Sequence, residues 1–354
     1  MLNLLTLVPG GMGGTETYAR ELITRLGSAP DVTISTLVPR SAEGFTPDGV
    51  REIVVRGVSG GPSSRERLAT VVQATVRRRS ILKELDGHNL VHLPFTAEIP
   101  QLPRSTRVIQ TLHDVQHLDL PHLFSKAELA YRRWSYERSA RHADLVITIS
   151  EFSRVQIMKH LGVPAERITV IPLGVDSSSF VPSLEPREDF VLYPARGWPH
   201  KNHRRLGEAM HIVRDSSPET RLVLTGGALD SLGALPSWVD VRGLVSLEQL
   251  KHLYRTASVM AFPSLYEGFG LPPLEAMASG CPVAASTAGS LPEICGDAAE
   301  LFDPTDPADI ARAILDARGN APALQNLGLK RVEEFTWDRC AAGHVNAYLD
   351  VASQ

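Results

Sequence analysis

Cysteine is scarce in this chain. The three residues present, Cys281, Cys295 and Cys340, are odd in number and show no C-x-x-C spacing, which excludes a disulfide framework and a thiolate zinc site and points to a reducing compartment. Membrane-spanning runs are missing too. The apolar stretch Leu2 to Val8 is too short to cross a bilayer, and it carries neither a basic leader nor a cleavage pattern, so it reads as a first strand. Peripheral contact is then the only membrane association left open, and the expected location is the cytoplasm, at most at the inner face of the membrane. Charge of one sign is also lacking. Lys and Arg total 36 against 40 Asp and Glu, a net charge of -4, which excludes a globally basic nucleic-acid binder.

What remains is a chain of 354 residues, 43% hydrophobic and 21% charged, long enough for two ordinary hydrophobic cores. Its most informative stretch is P-S-L-Y-E-G-F-G-L-P-P-L-E-A-M-A-S-G-C-P-V-A-A-S, residues 263 to 286. Ala257 to Phe262 reads as a buried strand and Glu267-Gly268-Phe269-Gly270 as a glycine-permitted loop. Pro272-Pro273 opens a helix that Gly280 closes. A helix N-terminus at a strand end offers amide donors and partial positive charge, which suits a phosphate. Glu267 before the helix and Glu275 in its first turn can face the same strand end, where ionised carboxylates accept from vicinal sugar hydroxyls. A solvated loop charge and a dipole-complementing glutamate describe the same two residues without a ligand.

Two other strand ends carry chemistry. Phe190 to Ala195 runs into Arg196-Gly197-Trp198-Pro199-His200-Lys201-Asn202, where a guanidinium and an ammonium five residues apart suit a diphosphate. Arg107 to Leu112 delivers His113-Asp114, and imidazole can both donate to and accept from a sugar hydroxyl. His113, Asp114, His117, Asp119 and His122 also admit a metal reading, that of a zinc-dependent sugar deacetylase, although Pro121 and the irregular apolar content mark this segment as a loop rather than a ligand-presenting helix. The N-terminal loop Pro9 to Gly14, followed by a helix from Thr15 to Leu26 with Tyr18, Ala19, Leu22, Ile23 and Leu26 on one side, is a second phosphate-compatible loop. The next strand, Val32 to Val38, ends in Pro39-Arg40 without the acidic residue of a dinucleotide site, which disfavours a dehydrogenase. Helices are expected over Arg65 to Leu85, with Arg77, Arg78 and Arg79, and over Ser125 to His142, where arginines alternate with aromatics. Both read as solvated faces or as basic surfaces for anionic lipid. Ser150 and Ser246 are expected N-caps, and Thr96-Ala97-Glu98 is a candidate acceptor-lining loop.

The E-x7-E pattern within S-L-Y-E-G-F-G-L-P-P-L-E-A-M-A-S-G-C-P-V resembles the signature of retaining GT-B glycosyltransferases of family 4. The segments Y-P-A-R-G-W-P-H-K-N-H, H-D-V-Q-H-L-D-L-P and V-I-P-L-G-V-D are also similar to that family, the first two most of all to bacterial mannosyl- and rhamnosyltransferases. The resemblance implies an α/β GT-B fold: two Rossmann-like domains facing across a cleft, residues 1–178 and 179–336, with a C-terminal helix from about 337 crossing back. It implies hexose transfer from a nucleotide diphosphate sugar, with GDP-mannose as first guess, to a glycan, lipid-linked or small-molecule acceptor, with neither metal nor cofactor. His113, Glu267, Arg196 and Lys201 take catalytic positions. Gly13, Gly14, Gly226, Val245, Gly268, Phe269, Gly270, Leu271 and Glu275 join Arg196, Lys201 and Glu267 around the donor, with Glu275 on the ribose and Glu267 on the sugar. A GT-B nucleotide-sugar 2-epimerase and a non-catalytic nucleotide-sugar sensor are the alternatives on the same fold. Oligomeric state is not legible.

Overall fold

A computed structural model describes residues 1–61 and 63–353. The chain divides into two compact units, one formed by Met1–Leu173 with the stretch from Trp337 onward, the other by Gly174–Thr336. Among the described residues no helix is long and apolar enough to cross a membrane.

The first unit holds strands β1 (Leu2–Asn3), β2 (Ser35–Pro39), β3 (Arg51–Val55), β4 (Leu90–Leu93), β5 (Arg107–Thr111), β6 (Leu145–Thr148) and β7 (Ile168–Val170), and helices α1 (Gly14–Leu26), α2 (Ser64–Val76), α3 (Arg78–Glu84), α4 (Gln116–Asp119), α5 (Lys126–His142) and α6 (Glu151–Leu161). Its strands pair in parallel in the order β3-β2-β1-β4-β5-β6-β7. All residues of β2 and β4 are buried, as expected of a parallel sheet covered on both faces. The apolar face read for α1 is the one that packs: Tyr18, Ala19, Leu22, Ile23 and Leu26 are buried.

The second unit holds β8 (Glu188–Pro194), β9 (Arg221–Thr225), β10 (Val239–Gly243), β11 (Ala257–Phe262), β12 (Val283–Ser286) and β13 (Glu300–Phe302), with helices α7 (His203–Ser216), α8 (Leu247–Thr256), α9 (Leu271–Ala278), α10 (Leu291–Cys295), α11 (Pro307–Gly319) and α12 (Ala321–Val332). Its parallel order is β10-β9-β8-β11-β12-β13. The last helix, α13 (Trp337–Ala352), belongs to the first unit. Each sheet reverses its winding once, between β1 and β4 and between β8 and β11, and ligands of open α/β sheets bind at the strand carboxyl ends beside such reversals.

Three expectations about elements are corrected. The first strand is only two residues long, because Asn3 turns its side chain on the chain itself: it accepts from Leu5 N at 3.1 Å and donates to Ile99 O at 3.0 Å, and Leu7 N turns back to Leu4 O. The helix expected over Arg65 to Leu85 breaks at Arg77, whose φ and ψ are -91° and 8° and whose guanidinium occupies the space a Cβ on Gly57 would need. Residues 116–123, expected as a loop, form the short α4 and a turn of 3-10 helix. The expected caps are in place: Ser150 Oγ accepts from Ser153 N at 3.1 Å, and Ser246 forms a reciprocal capping box with Gln249.

Candidate active site

In the second unit the carboxyl ends of β8 and β11, neighbours across the winding reversal, bring Lys201 and Glu267 together as an ion pair, each side chain 14% exposed. The scaffold holding this pair is built from the two loops. After β8 the chain makes a 3-10 turn, Pro199–Lys201, and stops at Asn202, whose φ is 61°. The buried Asn202 amide donates to Pro263 O at 3.0 Å and Pro304 O at 2.7 Å, and Leu265 N donates to His200 O at 2.8 Å, so the loops after β8 and β11 are cross-tied. Tyr193 OH fixes the Lys201 carbonyl at 2.6 Å. Arg196 lies over the half-exposed Trp198 ring at 5.3 Å. Burial, reinforced by the Lys201 charge, pushes His200 down to about 4, so it is neutral beside the pair.

The loop carrying Glu267 is clamped from the far side. Ser290 N donates to Glu267 O at 3.1 Å and Ser290 Oγ to Phe269 O at 2.6 Å. At Gly289, φ is 68° and a Cβ would stand 2.5 Å from Glu267 O, so only glycine lets the two loops meet. Gly268, Phe269 and Gly270 are buried, and Phe269 sets its ring edge against Phe335 at 5.8 Å. Helix α9 begins at Leu271, one residue before the expected Pro272. Because Pro272 and Pro273 carry no N–H, the free amides of this helix end reduce to those of Gly270 and Leu271.

The earlier start also moves Glu275 out of the first turn, a correction to its expected place. It is half-buried, and its partner is the Tyr254 hydroxyl, which donates at 2.9 Å. Burial pushes this carboxyl up to about 7, against the opposing effect of the Tyr254 hydrogen bond. At the end of β9, Gly226 N donates to Gly243 O at 2.8 Å. A Cβ on Gly226 would lie 2.5 Å from Ala195 O, so glycine allows the ends of β8 and β9 to close. Val245 stands apart from this group, past the edge strand β10 and two strands from β8.

In the first unit His113 follows β5, half-buried. Its Nε2 lies 3.1 Å from Pro94 O, which can only accept, so Nε2 carries the proton; burial lowers its pKa, and the neutral ring keeps a lone pair at Nδ1. Ser153 Oγ donates to the His113 carbonyl at 3.0 Å, and the Tyr18 ring meets the imidazole edge-on at 5.1 Å. Gly13 and Gly14 are exposed where α1 begins, and Glu16 accepts from Gly10 N of the same loop at 2.8 Å.

Behind Tyr18 lies a buried hydrogen-bond chain that the sequence did not announce. His344 Nδ1 faces Cys340 O at 2.8 Å, an acceptor only, and burial pushes His344 down to about 4, so Nδ1 donates and Nε2 accepts. Tyr18 OH therefore donates to His344 Nε2 at 2.7 Å, Thr111 Oγ1 donates to Tyr18 at 2.8 Å, and His92 Nε2 donates to Thr111 at 2.8 Å. Tyr348 OH completes the run by donating to His92 Nδ1 at 2.7 Å. The chain of donors runs one way from α13 through β4 and β5 to α1 and back to α13.

Two further expectations fail on packing grounds. Thr96 and Glu98 are buried: Thr96 Oγ1 donates to Thr111 O, while Glu98 Oε1 accepts from Leu102 N at 2.7 Å and faces His142 Nδ1 at 2.9 Å. These two side chains serve the interior and do not line an acceptor surface. The histidine-aspartate segment does not assemble as ligands. His117 is buried between the Tyr136 and Phe124 rings, Asp119 pairs with His160 at 2.8 Å, and Asp114 caps Gln116 N at 3.0 Å. Among the described residues no three His, Cys, Asp or Glu side chains are grouped to hold a metal, so the geometry gives the zinc deacetylase reading no site.

Residues 12–179 match the model of Glycosyltransferase Family 4, and residues 188–320 match that of Glycosyl transferases group 1. The chain is 34% identical over 274 residues to the O-antigen chain mannosyltransferase B of Escherichia coli, covering 69% of this chain and 71% of that one. Sucrose-phosphate synthase from Thermosynechococcus elongatus has the same fold at a TM-score of 0.81 and 22% identity, over 99% of this chain and 98% of that one. The Anabaena protein Alr3699/HepE, solved in complex with UDP-glucose, aligns at a TM-score of 0.72 and 19% identity, over 99% and 98% of the two chains. With two doubly wound parallel sheets and matches in both halves, the chain belongs to glycosyltransferase family 4 and is a hexosyltransferase of GT-B fold.

Proposed function

We propose that this enzyme moves mannose from GDP-mannose to a hydroxyl of a glycan, glycolipid or small-molecule acceptor, with retention of anomeric configuration. The observation that carries the donor reading is the Lys201–Glu267 pair at the β8/β11 reversal, with Arg196 on the same loop and the Gly270 and Leu271 amides beside it. A donor diphosphate brings two negative groups to a place where Arg196, Lys201 and those amides offer opposite charge and hydrogen-bond donors. The same groups stabilise the leaving diphosphate as the glycosidic bond breaks. Glu267, held by Lys201, accepts from hydroxyls of the transferred sugar. Glu275 accepts from the ribose once ionised. Within the first unit, the Nδ1 lone pair of His113 can accept from a hydroxyl group. The choice of mannose is supported by the name of the Escherichia coli relative; the guanine base is this reading's own assignment.

The test is a thermal-shift panel of GDP, UDP, dTDP and ADP with their common sugars, with and without EDTA, followed by product analysis of the nucleotide sugar that responds. A ligand at about 100 times its Kd adds roughly 2.7 kcal/mol. Selective, EDTA-insensitive stabilisation by GDP and GDP-mannose is expected, and acceptor-dependent release of GDP completes the case. Stabilisation by UDP alone overturns the donor. An isomerised nucleotide sugar formed without acceptor overturns transfer in favour of epimerisation.

A further inference from the structure

One large aromatic side chain of the second unit stands outside the core, in the loop after β8. Trp198 is 47% exposed, between Arg196 and Lys201 in the chain. An indole left half in water forgoes apolar burial, and the groups around this one are polar. The Arg196 guanidinium lies over the ring at 5.3 Å, and the His200 ring is tilted by 38° against it at 5.7 Å.

The backbone enforces this arrangement. Trp198 N donates back to Arg196 O at 2.7 Å, a three-residue turn that folds the indole toward the guanidinium. The middle of the turn is pinned to the loop after β9: Gly197 N donates to Gly227 O at 3.0 Å, and Ser231 Oγ donates to Gly197 O at 3.0 Å. A Cβ on Gly197 would stand 2.2 Å from Ala228 O, so the approach of the two loops needs a glycine there. At the other end of the segment the His200 carbonyl is tied to Leu265 N. Three flat groups, Arg196, Trp198 and His200, are thus stacked on a segment held at both ends, and His200 feels the charges of Lys201 and Glu267. Because His200 is neutral, it does not compete with Arg196 for the negative face of the ring. A long arginine side chain loses rotamer freedom when it binds a ligand. A flat partner that holds the guanidinium beforehand removes part of that loss.

We propose that Trp198 is a positioning residue for Arg196, its ring face holding the guanidinium at the end of β8 in readiness for a diphosphate. This role rests on the donor reading, in which Arg196 meets the diphosphate of the nucleotide sugar. Isothermal titration calorimetry measures GDP binding to the full chain, or UDP binding where UDP is the nucleotide that stabilises it. The variants are Trp198→Ala, Trp198→Leu, Trp198→Phe, Arg196→Gln and the double variant Arg196→Gln/Trp198→Ala. The indole is half-exposed, and unchanged melting temperatures show that the variants fold. A cation–π contact at a partly exposed site supports about 2- to 5-fold in affinity. Trp198→Ala therefore weakens nucleotide binding by at least that factor. Trp198→Phe, which keeps an aromatic face, restores part of the loss, and Trp198→Leu, which keeps only apolar bulk, does not. In the Arg196→Gln background the truncation of Trp198 has no further effect, as expected of a residue that acts through another. Full affinity in Trp198→Ala, equal rescue by Leu and Phe, or losses that add across the two positions overturn the positioning role and leave the donor reading intact. Failure of both nucleoside diphosphates to bind the wild type overturns the donor reading, and the role of Trp198 with it.

Discussion

Replacing Glu275 with Gln removes a carboxyl that burial holds at about 7 in the folded chain, against an ordinary value of 4.5. At about 1.4 kcal/mol per tenfold change in proton affinity, the displacement is worth about 3 kcal/mol. The sign follows from which state binds the proton more tightly. Below pH 4.5 folded and unfolded chains both hold it, and the group is neutral to stability. Between 4.5 and about 7 the unfolded chain releases the proton while the folded chain keeps it, so stability falls as pH rises; above about 7 the whole penalty is present. Urea unfolding of wild type and Glu275→Gln from pH 4.5 to 8 reads this directly. The stability of wild type relative to the variant declines by about 3 kcal/mol over that range, whereas a constant difference refutes the burial argument. Tyr254→Phe removes the hydroxyl that favours the ionised form, and the upper end of the window moves to higher pH. Ribose hydroxyls replace that lost donor in the proposed complex, so nucleotide binding near neutral pH releases a proton. Calorimetry in buffers of different ionisation enthalpy detects it.

Gly289→Ala forces a Cβ to within 2.5 Å of Glu267 O at φ 68°. The left-handed backbone alone costs about 1–2 kcal/mol, and the Glu267 loop must shift, so a lower melting temperature and a weakened nucleotide-sugar response are expected together. Gly207→Ala, inside α7 with nothing within 4 Å of the new Cβ, is the control and stabilises by about 0.5–1 kcal/mol. Tyr348→Phe strips His92 Nδ1 of its donor inside the first unit. Chemical denaturation registers a loss of about 1–3 kcal/mol, with the donor-induced thermal shift retained; a change below about 0.5 kcal/mol, the size of an ordinary surface substitution, removes the hydrogen-bond chain from the stability of α13.

The elements that the sequence determined by itself are those whose cause lies within a few residues. Ala257–Phe262 is a strand with the expected bounds because a short apolar run sits between a helix end and a turn. Helix α1 buries the five residues its periodicity marked, and Ser150 and Ser246 cap helices because a hydroxyl reaches an amide three residues on. The family-like stretches placed Arg196, Lys201 and His113 at strand carboxyl ends, where the sheets put them. Only the tertiary structure decided who meets whom. The order of strands, and with it the reversal between β8 and β11, depends on pairings that no local period encodes. Lys201 finds Glu267 across 66 residues, and Tyr254 finds Glu275 across 21. Tyr18 finds His344 across 326. The break at Arg77 waits on a glycine 20 positions earlier, and α2 reads as an ordinary basic helix until packing shows that a second apolar face stays outside. Periodicity reports that a face is apolar; only the packed chain decides whether anything covers it.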